Sequence, residues 1–529
     1  VSPQLTVVSA RQTPARVARS TVIVMIATLG STILGFVREV LNARYFGTTG
    51  GMDAYLAAAV VPTILFGVFN GALVSGLVPI FSEYFATGAE DEAWRLASTL
   101  LIGLAVVLSV AAGLGAWLAP VYVPWIARFD PDRLAQAVRM TQQLMPTIVA
   151  TSLAGIVAAL LNAYHRFTWT ALQGAAANLL TIAFVVVLFP RWGIDALVIG
   201  TLAGAYAQLV VQLPALAGLR KFRYAFDLSH PGLGRLLAVL APIALGSAAG
   251  QAALFFDRYF ASALSVGSIA GMNYAVKLVG LPQQVFVTAI ATVIFPVFAA
   301  QFASKNRAAM RRSIATGLKM VIFLTVPSAF GLCMLAEPIV QTLFERGAFT
   351  PEATALCAAL LPFAAFGLIA LAANVVLTRY LFASGNVRTT IAIAIGTVVL
   401  NVVFSIVWLP SLGARGLLLA NAVSQTLQTF ALAVVVWRLL GGFDVRAILL
   451  SFGKVTACSV AMALALFVVQ VYGSTPAPTL AARATILVEH LLFGAAMFLA
   501  LARIVDSEEL HLAFDLLLRR KTRELIPLP

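Results

Sequence analysis

The chain has 529 residues, of which 61% are hydrophobic and 11% charged, and its formal net charge is +14. A soluble domain carries about 25% charged residues, so a soluble enzyme with a membrane anchor is excluded and a polytopic membrane protein is implied. The positive balance fits Lys and Arg held in cytoplasmic loops beside anionic lipid, and no basic segment is interleaved with aromatics as a nucleic-acid surface would require.

The N-terminus is basic (Arg11, Arg16, Arg19) and turns apolar at Thr21. A signal peptide starts this way, but more apolar runs follow in place of a polar export domain, so the stretch reads as an uncleaved first helix. A spanning helix needs about 20 mostly apolar residues. That rule predicts about fourteen spans: 21–43, 54–81, 96–120, 140–162, 171–190, 197–219, 236–256, 269–300, 315–335, 355–377, 389–409, 417–437, 448–472 and 485–504. The connections are short, so the expected fold class is an all-α polytopic bundle without a sizeable extramembrane domain.

After a basic N-terminus (1–20), a first six-helix lobe covers 21–219. A linker at 220–235 leads to a second six-helix lobe at 236–437, and two further helices occupy 438–504. In the last segment, 505–529, Leu510, Phe514, Leu517 and Leu518 share a helix face. It reads either as an interfacial cytoplasmic helix or as a helix packed on a loop. Lys and Arg concentrate in the even-numbered loops and at both termini, which predicts that both termini are cytoplasmic.

Three echoes recur at offsets of about 220 residues. RYFG…GGMDAY…P (44–62) returns as RYFA…AGMNYA…P (258–282), and PIFSEYFA (79–86) as PVFAAQFA (296–303). FPRWGIDALVIGTLAGAYAQL (189–209) returns as LPSLGARGLLLANAVSQTLQT (409–429). Each repeat holds an even number of helices, so both enter from the same side. That is the parallel duplication of transporters whose halves move about a central site.

Charge inside such spans is costly and therefore marks function. The candidates are Arg38, Glu39, Arg44 and Asp53 from the first lobe, with Asn70 as a polar group in its second helix. The second lobe supplies Asp257, Arg258 and Lys277. Arg38 and Lys277 sit near the outer ends of helices in opposite lobes. Cations gathered in one cavity repel one another unless an anion lies between them; guanidinium matches phosphate oxygens bidentately and ammonium acts as a point charge. A phosphate or pyrophosphate ligand is expected, with Glu39 and Asp53 orienting the arginines. Arg44, Asp53 and Lys277 also fit plain interfacial or snorkelling positions.

No carboxylate cluster, nucleophile–base pair or phosphate-cradling glycine loop is present, so catalysis is not expected. Asp130–Pro131–Asp132 resembles a metal-binding DxD but reads as a turn and helix cap. Cys333, Cys357 and Cys458 lie in apolar runs and fit buried packing rather than a disulfide framework. No histidine spacing suggests a metal, and no cofactor is expected.

The segments ILGFVREVLNARYFG…MDAYLAA (33–58), LVPIFSEYFA (77–86), LMPTIVATSLAGIVAALLNAYHRF (144–167) and LFERGAFT (343–350) resemble the MurJ/MviN family. Its members are lipid II flippases of the multidrug/oligosaccharidyl-lipid/polysaccharide exporter superfamily, and the likeness runs from about residue 20 to 500. The resemblance implies a V-shaped pair of six-helix lobes, with helices 13–14 forming a groove for the lipid tail. It implies that undecaprenyl-pyrophosphate-linked peptidoglycan precursor moves from the inner to the outer leaflet of the bacterial cytoplasmic membrane. A monomer among membrane lipids is expected, with cell-wall synthesis proteins as further partners.

Arg38 matches the family's arginine after LGF, and Asp53 the aspartate of its DAF segment. Thr32, Phe66, Gly67 and Gly280 stand where the family carries charged residues, while Lys277 keeps the charge of helix 8. The cavity is thus less cationic than in a typical member. Another lipid-linked glycan, such as an exopolysaccharide or O-antigen unit, stays open as cargo. A cation-coupled drug exporter and a glycolipid-binding scaffold are the further alternatives.

Overall fold

The computed structural model describes residues 14–217, 225–284, 301, 304, 306–473 and 479–517, with side chains throughout except at 14–23, 66, 68–75, 239–247, 249 and 513–517. Among the described residues every regular element is helical, as a bilayer requires of a chain that must satisfy its backbone internally. Eleven helices there are long and apolar enough to cross a membrane. Each coincides with one predicted span in order. The predicted spans 54–81, 236–256 and 269–300 fall on stretches that lie partly outside the described side chains or backbone.

The helices overrun their apolar cores. The predicted 96–120 becomes α4 of 37 residues, Glu90–Ile126, because its first turn carries Glu90, Asp91 and Glu92, which suit the positive end of the helix dipole. The chain divides into two compact units, 1–269 and 270–529.

The first unit contains α1 (Pro14–Phe46), α2 (Gly50–Ala58), α3 (Val60–Ala86), α4, α5 (Pro131–Leu144) and α6 (Thr147–Ala163). After the short α7 (Phe167–Ala171) come α8 (Gln173–Trp192), α9 (Asp195–Val210), α10 (Leu213–Ala217) and α11 (Pro231–Ala261). Leu77, Phe81, Trp94, Leu96, Ile156 and Leu160 form one core across α3, α4 and α6, and Leu236 ties the start of α11 to it. The expectation from sequence counts α11 with the second lobe; its packing along α3 groups it with the first unit.

The helix α12 (Ser268–Pro282) opens the second unit. It is followed by α13 (Arg307–Met334), α14 (Ala336–Phe344), α15 (Pro351–Ala383), α16 (Val387–Leu412) and α17 (Ala414–Leu440). Last come α18 (Val445–Gly473), α19 (Leu480–Ile504) and α20 (Glu508–Leu517). Its main core joins Ile314 and Val321 of α13 to Ala372 and Val376 of α15 and to Leu432 and Val436 of α17. Small residues at such contacts let helix backbones approach where van der Waals packing drives association.

The duplication is written in the backbone. Positive φ angles recur at Gly47 and Gly267, at His165 and Gly385, and at Gly193 and Gly413, each pair 220 residues apart. The third pair is the closest match: Gly193 has φ 52° and ψ −129°, and Gly413 has φ 56° and ψ −132°. Their N–H groups donate to Phe189 O and Leu409 O respectively, closing the helices that precede them. The hairpins α8–α9 and α16–α17 are therefore two copies of one turn. The echo PVFAAQFA (296–303) lies outside the described residues, apart from Gln301.

Candidate functional site

Arg38 lies eight residues before the end of α1, roughly 12 Å along the axis, inside an apolar span. It does not stand alone there. Its Nη2 donates to Glu39 Oε1 at 2.8 Å, with the Arg38 side chain 32% exposed and that of Glu39 only 8%. Adjacent helix positions face apart, so the long arginine must fold back to reach its neighbour. That leaves the guanidinium half-buried and its carboxylate partner hidden. One turn on, the buried Asn42 keeps an Oδ1 with no hydrogen-bond partner among the described residues. Tyr55 of α2, whose hydroxyl shares a 2.8 Å hydrogen bond with Thr201 of α9, lies close enough to feel the charge of Arg38.

A second polar group gathers where α2 meets the turn between α11 and α12. Thr49 caps α2 by accepting from Met52 N, and this fixes the first turn that carries Asp53. Asp53 is 1% exposed, and its Oδ2 accepts from Gly267 N at 2.6 Å, directly before α12 begins. A carboxylate there answers the unsatisfied N–H groups and the positive end of that helix. Gly267 is obligatory at this point: its φ is +88°, and a Cβ would stand 2.5 Å from Thr48 O. Arg258 donates to Ile269 O at 3.3 Å. Ser262 Oγ accepts from Arg128 N at 2.8 Å, and the Arg128 guanidinium lies over the Tyr259 ring, 4.6 Å from its centroid.

The candidates therefore separate into distinct settings. Arg38 pairs with Glu39, while Asp53 and Arg258 sit at the α2–α11–α12 corner. Arg44 is exposed and lies 5.8 Å from the Tyr45 ring centroid. Lys277, on α12, is exposed and makes no ion pair or hydrogen bond among the described residues. Asn70 lies on α3, but its side chain is outside the described residues. Asp257 carries a buried Oδ1 with no hydrogen-bond partner among the described residues.

Asp130 caps α5 by accepting from Arg133 N at 3.0 Å, with Pro131 at the first helical position. Those bonds from the Arg133 backbone and guanidinium hold its carboxyl below the usual aspartate range. The DxD resemblance is thus a helix cap. All three cysteines are free, with Cys357 and Cys458 buried.

Two features escape sequence reasoning. Asn401, Ser405 and Ser424, buried on the α16–α17 hairpin, leave polar atoms without partners among the described residues. Neutral residues in apolar runs give no charge signal; only the offset from Thr181, whose hydroxyl donates to Gly200 O at 3.0 Å in the first copy, marks the place. The second feature is an apolar groove of about 1340 Å³ in the second unit, walled by α13, α15, α17 and α18. Of the two C-terminal spans, α18 lines it and α19 does not.

The family model described as lipid II flippase MurJ matches residues 42–479. A probable lipid II flippase MurJ from Rhizobium meliloti (strain 1021) is 30% identical over 463 residues, covering 84% of each chain. A lipid II flippase MurJ from Burkholderia cenocepacia is 29% identical, covering 77% of this chain and 81% of its own. A solved structure of lipid II flippase MurJ in an inward closed conformation superposes with a TM-score of 0.79 at 24% identity, covering 92% of this chain and 98% of that one. An inward-facing multidrug resistance MATE family transporter of the MOP superfamily gives a TM-score of 0.67 at 14% identity, covering 79% and 98%. At such identities the structural likenesses establish the fold.

Proposed function

This chain belongs to the lipid II flippase MurJ family, and we propose that it is itself a flippase carrying lipid-linked peptidoglycan precursor from the inner to the outer leaflet by alternating access. The observation that carries the reading is the family match across residues 42–479. The protein works as a multi-pass transporter of the bacterial cytoplasmic membrane, with both termini cytoplasmic, as a monomer that meets cell-wall synthesis proteins.

In this reading Arg38 and Lys277 bind the pyrophosphate. Arg38 lies roughly 12 Å from the end of α1, and Lys277 roughly 14 Å from the start of α12, so each reaches a similar depth on its own helix. Glu39 holds the guanidinium of Arg38 in place and moderates its charge until phosphate competes for it. Arg44 and Arg258 add positive potential for the approaching headgroup. Asp53, buried against Gly267 N, keeps the outer end of the first unit closed; its bond breaks when that end opens. Residues 438–504 run beside the polyprenyl tail, which stays in lipid.

A second cargo, another lipid-linked glycan, is favoured by the uncharged Thr32, Phe66, Gly67 and Gly280. Complementation of a strain depleted of its own flippase tests the phosphate ligands. Arg38→Ala is expected to abolish growth at normal expression, and Lys277→Glu to be more severe than Lys277→Ala. Full growth with Arg38→Ala, or equal tolerance of both Lys277 changes, would remove the assigned roles.

A further inference from the structure

Beside the Arg38–Glu39 pair lie polar groups that the first unit leaves unsatisfied. The Tyr55 hydroxyl of α2 and the Thr201 hydroxyl of α9 share a 2.8 Å hydrogen bond in which either can donate. Two hydroxyls bring two protons, so one proton of the pair is spare, and no acceptor among the described residues takes it. Thr325 and Thr397, inside other spans, give theirs to the carbonyl four residues back at 2.8 and 2.9 Å. Thr201 has no such bond.

Asn42 repeats the pattern on α1. It follows Arg38 by four residues and so shares its face. Its side chain is 4% exposed, and its amide has no hydrogen-bond partner among the described residues. Tyr55 in turn lies close enough to feel the charges of both Arg38 and Glu39. Buried polar groups without partners are costly, and two of them gathered about one guanidinium mark a place that a ligand completes. Neutral donors suit phosphate oxygens beside a cation that a carboxylate already half-neutralises. They add directional bonds without the cost of a further charge inside the membrane.

We infer that Tyr55 and Asn42 are ligand contacts, donating to the phosphate oxygens of the lipid-linked pyrophosphate at Arg38, with Thr201 positioning the Tyr55 hydroxyl. The inference rests on the phosphate role given to Arg38 above and adds an uncharged half to that site. A phenol held by Thr201 offers its proton in a fixed direction, which lowers the ordering cost of binding.

Native mass spectrometry of the purified full-length chain in detergent, titrated with undecaprenyl pyrophosphate and with undecaprenol, reads the preference for the headgroup over the same tail without it. Wild-type protein should prefer the pyrophosphate. Tyr55→Phe and Asn42→Leu should each lower that preference about tenfold, which is what one hydrogen bond to a charged group supplies. Thr201→Val, which keeps the phenol, should lower it less than Tyr55→Phe. An unchanged preference in Tyr55→Phe or Asn42→Leu, while Arg38→Ala abolishes it, would overturn these contacts and leave the phosphate site standing. A preference that survives Arg38→Ala would remove that site and the inference with it. Parallel weakening of both lipids in Tyr55→Phe, with a lowered unfolding midpoint, would reduce the hydroxyl pair to packing between α2 and α9 and also overturn the assignment.

Discussion

Arg38 and Glu39 show how a charge survives inside an apolar helix: the carboxylate is hidden, and the arginine folds back over it. Asp53 makes the same point with a backbone partner. Asp53→Ala removes the acceptor that Gly267 N uses, and a buried donor left unpaired costs about 1–3 kcal/mol. Thermal unfolding in detergent should therefore show a lowered midpoint for Asp53→Ala, with Asp53→Asn recovering part of the loss. Gly267→Ala should be at least as damaging, because Thr48 O blocks the new Cβ. A side chain at either position that left the midpoint unchanged would contradict the packing described. The sequence made Asp53 legible as important, but not its partner. A backbone N–H that follows a turn 214 residues away leaves no trace in side-chain patterning.

At the scale of elements, the paired turns at Gly193 and Gly413 invite a direct comparison. Their backbone lies where only glycine sits without strain, and strain of this kind costs about 1–3 kcal/mol. Gly193→Ala and Gly413→Ala should lower thermal stability by similar amounts, whereas unequal effects would argue against a shared turn. The docking of α20 carries a pH signature. Burial pushes the Glu509 carboxyl up, but hydrogen bonds from Ser451 and Ser507, at 2.6 Å each, help to hold it below its ordinary value of 4.5.

A depressed folded pKa means that this contribution is complete above the unfolded value and is lost as pH falls through the folded one. Protection of amides 508–512 against hydrogen exchange, relative to their intrinsic rates, should fall as pH drops below the ordinary glutamate value, and Glu509→Gln should flatten the profile. A rate that keeps its protection across that range would dismiss the carboxylate's role. Helix existence was legible at the eleven spans found among the described residues, because apolar runs of bilayer length have few other uses. Helix ends were not, since the acidic first turn of α4 lies outside the apolar run that marks the span. The cap at Asp130 was readable from Asp-Pro-Asp alone.

For the whole molecule, the three sequence echoes anticipated a duplication that the recurrent positive-φ positions now trace in the backbone. Where the two units divide was less legible. Span counting places the boundary at 220–235, while the packing of α11 along α3 moves it to 269, because contacts between helices outvote their order in the chain. The unpartnered polar atoms of Asn401, Ser405 and Ser424 were silent for a related reason: burial is a tertiary property. The central claim is transport of a lipid-linked glycan headgroup, held by cations inside the membrane. Its most direct test is a leaflet-resolved assay with the purified chain in proteoliposomes and fluorescent lipid II in one leaflet. Wild-type protein should deliver lipid II to the opposite leaflet far faster than protein-free vesicles, and Arg38→Ala should fall to that background; equal rates with and without protein, or full transport by Arg38→Ala, would contradict the account.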